Sequence, residues 1–111
     1  MSATVLGQGQ PDLADYAAIE ILYCSDMNAK LGDKGSFFAI SNTADPIRDA
    51  AGHTGVLSTG NMTNAAGAWR ENIRTATVDL SQISYEGEIY LASYIGDDNS
   101  VTITGIRLIP A

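Results

Sequence analysis

The chain has one histidine, His53, set in the glycine-rich run AGHTG. With Ser58 and Asp49 it supplies the side-chain types of a nucleophile, a base and an orienting carboxylate. A nucleophile elbow, however, needs Gly-x-Ser-x-Gly, and Ser58 sits in VLSTG instead. Such trios arise easily by chance, so His53 reads as a surface histidine. Glycoside hydrolysis needs two carboxyl groups roughly 5 to 10 Å apart across a cleft. Glu71, Glu86 and Glu88 are the options, but Glu86 and Glu88 flank Gly87, where charge commonly marks an exposed turn. No enzyme is expected from this set.

Metal chemistry is restricted in the same way. Calcium takes six to eight oxygen ligands. The run DMNAKLGD opens with Asp26 and Asn28, but Lys30 falls where the next oxygen should be. GDDN offers Asp97, Asp98 and Asn99, which could form either a partial calcium site or an ordinary turn. Zinc lacks the Cys and His partners it requires. Cys24 is the only cysteine. With no His or second Cys near it in sequence, it reads as a small buried hydrophobe rather than a reactive thiol. No organic cofactor is implied.

Recognition chemistry is better represented. Sugars are bound by aromatic faces that stack on the ring while amides, guanidinium groups and carboxylates take the hydroxyls. Trp69, the only tryptophan, stands beside Arg70, Glu71 and Asn72. Tyr90 and Tyr94 share one strand face two pleats apart, with Tyr85 nearby in sequence. The candidate ligand-binding set is therefore Trp69, Arg70, Asn72, Tyr90 and Tyr94. The two tyrosines suit an inter-sheet core equally well, with each hydroxyl at its edge.

Bulk properties narrow the partners. Thirteen acidic against six basic residues give a net charge of −7, and there is no basic cluster. Binding to a phosphate backbone relies on Lys and Arg displacing counterions, so nucleic acid and anionic membrane surfaces are disfavoured. Glycans and other proteins stay open. No run approaches the roughly 20 apolar residues of a membrane span, and MSATVLGQGQPDL lacks the features of a signal peptide. The expectation is a module of a larger extracellular or virion-associated protein, with Met1 as a start.

These side chains must be carried by short strands. At 111 residues, 45% hydrophobic and with eleven glycines, the chain fits one domain rich in turns. GQGQPD (7–12) marks the entry to the fold. YAAIEILYCS (16–25) reads as a strand apolar on both faces, with a short helix over LADYAAIEILY as the alternative. SFFAIS (36–41) is a strand. Residues 42–67 are a long Ala/Gly/Thr/Asn/Asp-rich stretch with one short strand around Val56, and a segment of that kind suggests function or oligomer formation.

Beyond it the alternation sharpens. Arg74, Ala76, Val78 and Leu80 oppose Thr75, Thr77 and Asp79. Ile89, Leu91, Ser93 and Ile95 oppose Glu88, Tyr90, Ala92 and Tyr94. GDDNS (96–100) reads as a hairpin connection. In SVTITGIRLIP the apolar phase slips at Gly105, which predicts a β-bulge there. Period-two segments, frequent turns and the lack of a long helix predict an all-β, antiparallel β-sandwich in a single domain over 1–111.

Residues 69–110, WRENIRTATVDLSQISYEGEIYLASYIGDDNSVTITGIRLIP, resemble the closing half of a galactose-binding-like jelly roll, the fold of many carbohydrate-binding modules. The order is a Trp, a VDLS strand, a loop with Gly, a YLAS strand, a polar hairpin and a final strand like IRLIP. The resemblance implies a jelly-roll sandwich and a Trp that often packs against its core. It also implies acidic residues in the last strand for a structural calcium ion, but here those positions are Thr104 and Gly105. Two functional expectations follow. The first is a non-catalytic module that binds a glycan or surface ligand, appended to an extracellular or phage tail-associated protein. The second is a structural virion domain at a tail tip or decoration that self-associates, as a trimer, with no sugar site.

Overall fold

The computed structural model describes residues 3–6, 16–25, 29–51, 55–64, 71–81, 83, 89–96 and 99–111. Seven strands run in chain order: β1 (Ala3–Leu6), β2 (Tyr16–Ser25), β3 (Phe37–Ser41), β4 (Val56–Asn61), β5 (Arg74–Asp79), β6 (Ile89–Tyr94) and β7 (Val101–Pro110). They form two sheets, ordered β1-β6-β3-β4 and β5-β2-β7, in which all pairings are antiparallel. The protein is an all-β sandwich, as the alternation predicts. The helix alternative fails over its described part, because residues 16–25 are strand.

The winding follows from the pairings. β3 pairs with β4, β2 with β5 and β1 with β6, three antiparallel pairs nested about the β3–β4 link. Folding this ribbon over places the β2/β5 pair in one sheet and the other two pairs in the opposite one. β7 then joins the free side of β2.

The inner faces carry the predicted apolar rows. Ile19, Ile21 and Tyr23 of β2 meet Ala76 and Val78 of β5 across the sheet and share one core with Phe38, Ile40, Ile89 and Leu91 of the facing sheet. Leu31 and Met62, from loops, join the same core. Burying each large aliphatic side chain contributes about 1.5–3 kcal/mol. The Tyr23 and Phe38 rings meet edge to face, with centroids 5.5 Å apart. On β5, Thr75, Thr77 and Asp79 face solvent, in the phase read from the sequence.

Four features depart from the sequence reading. β2 is covered on one face only: its second row, Ala18, Glu20 and Leu22, is half-buried, and of that row Cys24 alone is buried. β6 and β7 do not pair as a hairpin across residues 96–100, because they lie in different sheets. Gly96 N–H donates to Ser36 Oγ at 2.9 Å, and Ser25 Oγ–H donates to the Ser100 carbonyl at 2.7 Å. The bulge in β7 is present, but Ile103 pairs with Tyr23 and Gly105 with Leu22, which makes Thr104 the extra residue. Its hydroxyl donates to the Leu22 carbonyl at 3.2 Å, and Gly105 does not use the left-handed backbone. The fourth departure is β1, which the sequence reading left within an unassigned N-terminus.

The two flanks of the sandwich differ. On one, β4 lies against β5 so closely that a Cβ at Gly60 would collide with the Thr77 carbonyl oxygen. The strand orders put β1 and β7 at the other ends of their sheets.

Candidate functional site

Of the predicted ligand-binding residues, Trp69 and Arg70 lie outside the described residues, as do Asp97 and Asp98 of the predicted calcium site and His53, Tyr85, Glu86 and Glu88. Asn72 is half-buried just before β5, in the three-stranded sheet, whereas Tyr90 and Tyr94 belong to β6 in the four-stranded one. Asn99 uses its Nδ2–H to bond the Gly96 carbonyl at 2.8 Å, the local bond of a turn residue. Asp49 Oδ1 accepts the Ala51 N–H at 2.9 Å, again a turn, while Ser58 is half-buried in β4. Among the described residues no group of three or more His, Cys, Asp or Glu comes together to hold a metal ion.

The tyrosines stand on the outer face of the four-stranded sheet. Alternation along β6 sends Ile89 and Leu91 into the core and Tyr90, Ala92 and Tyr94 outward. A loop over 42–51 folds back onto this face, and its one large apolar residue, Ile47, is 1% exposed among Phe37, Ala39 and Ala92. Tyr94 stacks on Phe37, with ring centroids 5.8 Å apart and 25° between planes. The loop is held by Asn42 N–H donating to the Gly55 carbonyl at 2.8 Å, with Gly55 at φ 100°. Part of the long Ala/Gly-rich stretch therefore serves as a lid over a second, smaller core. Tyr94 packs at the margin of this second core, and Tyr90, four residues away on the strand and so about 13 Å along it, is also half-buried.

A different surface escaped the sequence reading. The pairing of β2 with β7 sets Tyr23 opposite Ile103, Ile21 opposite Ile106 and Ile19 opposite Leu108. Directly paired side chains point to the same side of a sheet, so these three β7 residues face inward with the core row of β2. Yet Ile103 is 46%, Ile106 49% and Leu108 36% exposed, while their β2 partners are buried to 1% or less. Among the described residues no second layer covers the core-facing side of β7. Its only charged residue, Arg107, is engaged by Glu20 of its own sheet at 2.9 Å. The signal missed in the sequence was position: an alternating apolar row looks the same whether or not a second layer lies over it.

Elsewhere the electrostatics are local. The Ser81 hydroxyl and N–H both donate to Asp79 Oδ1, at 2.7 and 2.8 Å, and hold its carboxyl below the ordinary carboxylate value. Asn64 Oδ1 accepts from the N–H groups of Gly32 and Asp33 while its Nδ2–H donates to Asp33 Oδ1, closing a turn rather than lining a cleft. Comparison with protein-family models, with curated sequences and with solved structures finds no match to this chain.

Proposed function

We propose that the domain is a structural module that self-associates, carried by an extracellular or virion-borne protein. One observation supports this reading above the others: the inward-facing row Ile103, Ile106 and Leu108 of β7 is one-third to one-half exposed. Apolar side chains held in a core phase yet left exposed mark a surface shaped for another chain. β7 is also an edge strand without charged gatekeepers against pairing: it has no Lys, no acidic residue and one engaged Arg across ten residues, its protections being the bulge at Thr104 and the terminal Pro110. Light scattering on the eluting full chain tests the reading. A mass that is a multiple of the single chain is expected, and a monomer at every concentration reached would overturn it.

A second reading, a glycan or surface-ligand module, is favoured by Tyr90 and Tyr94 presenting half-buried rings on one outer face. A glycan array probed with wild type, Tyr90→Ala and Tyr94→Ala tests it. Binding lost in both variants supports this reading, and no binding by folded wild type removes it.

A further inference from the structure

We propose that β7 pairs with β7 of a second copy, antiparallel about a two-fold axis that runs between the two strands, level with the Thr104–Gly105 bond of each. The proposal rests on the self-association reading and specifies its geometry.

The argument begins with what β7 lacks. The nested winding gives β2, β3 and β6 a strand on both sides, while β7 is bonded only to β2 among the described residues. A free edge offers N–H and C=O groups that any added strand could satisfy. Its side chains are more selective. Outward from the Thr104–Gly105 bond, β7 reads Thr, Ile, Thr, Val in one direction and Gly, Ile, Arg, Leu in the other. Both halves run polar, apolar, polar, apolar. The bulge at Thr104 puts Ile103 and Ile106 on the same, inward side, so this pattern describes real faces and not only letters.

A two-fold pair of antiparallel strands requires that symmetry, because every residue meets its mirror position in the second copy. The register sets Ile103 against Ile106 of the second copy, Val101 against Leu108 of the second copy and Thr102 against Arg107 of the second copy. Apolar positions meet apolar ones along the whole row, and no like charges oppose each other. Shifting the axis to Arg107 would put two guanidinium groups face to face, a destabilising arrangement. A foreign strand would need no such symmetry in β7. The net charge of −7 does not oppose contact here, since residues 101–110 contain no acid. The product is one continuous sheet, β5-β2-β7-β7-β2-β5.

The experiment uses the full chain. Cys24 lies directly opposite Thr102 on β2 and is a free thiol, so the cysteine variants also carry Cys24→Ala. Wild type, Ile106→Lys and the variant Cys24→Ala/Thr102→Cys/Arg107→Cys are compared by light scattering and circular dichroism, and the cysteine variants are oxidised with diamide. Within one chain positions 102 and 107 are five residues apart on a strand, about 16 Å. That is far beyond the roughly 4.4–6.8 Å between α-carbons in a disulfide, so a bond between them must join two chains. The expected result is a wild-type dimer, a halved mass for Ile106→Lys with an unchanged spectrum, and a covalent dimer whose peptide map links 102 to 107. Arg107→Cys alone gives no covalent dimer. A trimer, a dimer untouched by Ile106→Lys, or a cross-link through Arg107→Cys alone would overturn this pairing and leave self-association standing. A wild-type monomer throughout would overturn both.

Discussion

Replacing Tyr23 by Phe isolates one hydrogen bond that joins the core to a loop. Tyr23 is fully buried, and its hydroxyl oxygen accepts the Thr63 N–H at 2.8 Å, with the Thr63 hydroxyl 3.3 Å away. The ring stays in Tyr23→Phe, so the edge-to-face contact with Phe38 and the apolar burial persist. What is lost is an acceptor for a backbone donor. A net hydrogen bond contributes about 1 kcal/mol, and a donor left buried without a partner costs about 1–3 kcal/mol. Thr63 is itself exposed, so water can take over part of the bond, and the expected loss is about 1–2 kcal/mol. For a domain near 100 residues each kcal/mol moves Tm by roughly 4–8 °C, giving a fall of about 4–16 °C. Urea unfolding followed by circular dichroism should show a lower midpoint at unchanged slope, since the surface exposed on unfolding is the same. Thr63→Ala removes only the longer hydroxyl contact and keeps the backbone donor, so it should cost less than about 0.5 kcal/mol. A Tyr23→Phe midpoint equal to wild type, or a Thr63→Ala loss exceeding it, would refute the assignment of the bond to the backbone.

Two glycines should behave oppositely in the same urea assay. Gly60→Ala drives a methyl into the Thr77 carbonyl and should lose about 1–3 kcal/mol through overpacking. At Gly105 an added methyl meets only Leu22, at 3.9 Å, and the backbone is not left-handed. Gly105→Ala should therefore be neutral or stabilise by up to about 1 kcal/mol through the unfolded state, and a clear loss would contradict the bulge geometry described. For Asp79, Ser81→Ala should raise the carboxyl pKa toward its ordinary value, read by NMR titration. Because the folded value is depressed, the contribution is present above the ordinary carboxylate value and fades as pH falls through the folded value. A titration unchanged by the substitution would mean that Ser81 is not the cause.

Strand existence was legible because period two is a local property. β2 matches YAAIEILYCS end to end, and the facing choices for Ala76, Val78, Ile89 and Leu91 follow from alternation alone. Which sheet a strand joins is not local, so GDDNS, with the composition of a hairpin turn, reads as one although β6 and β7 lie in different sheets. The short ATVL of β1 carries too little pattern to stand out from the turn residues after it. Ile47 did leave a trace, as the one large apolar residue between Ile40 and Val56, where an isolated hydrophobe in a polar run marks a point of docking. The candidate sugar site is read from side-chain types, and types do not reveal that Tyr94 lies on Phe37 or that Asn72 leads into a strand of the other sheet.

The concentric arrangement of the strand pairs bears on how the molecule forms. β3 and β4 are neighbours in the chain, while β1 must find β6, and β2 must find β7, across most of its length. Distant pairing has to await loop closure, which makes assembly from the innermost ribbon outward the economical route and slow by comparison with helical domains. Of the seven strands β7 is the last to be synthesised, and it docks onto β2, so until residues 101–110 emerge the β2 edge they occupy stands open. A ribosome-bound fragment ending before Val101 would display that edge, and it is there that a chaperone or a stray strand would first take hold.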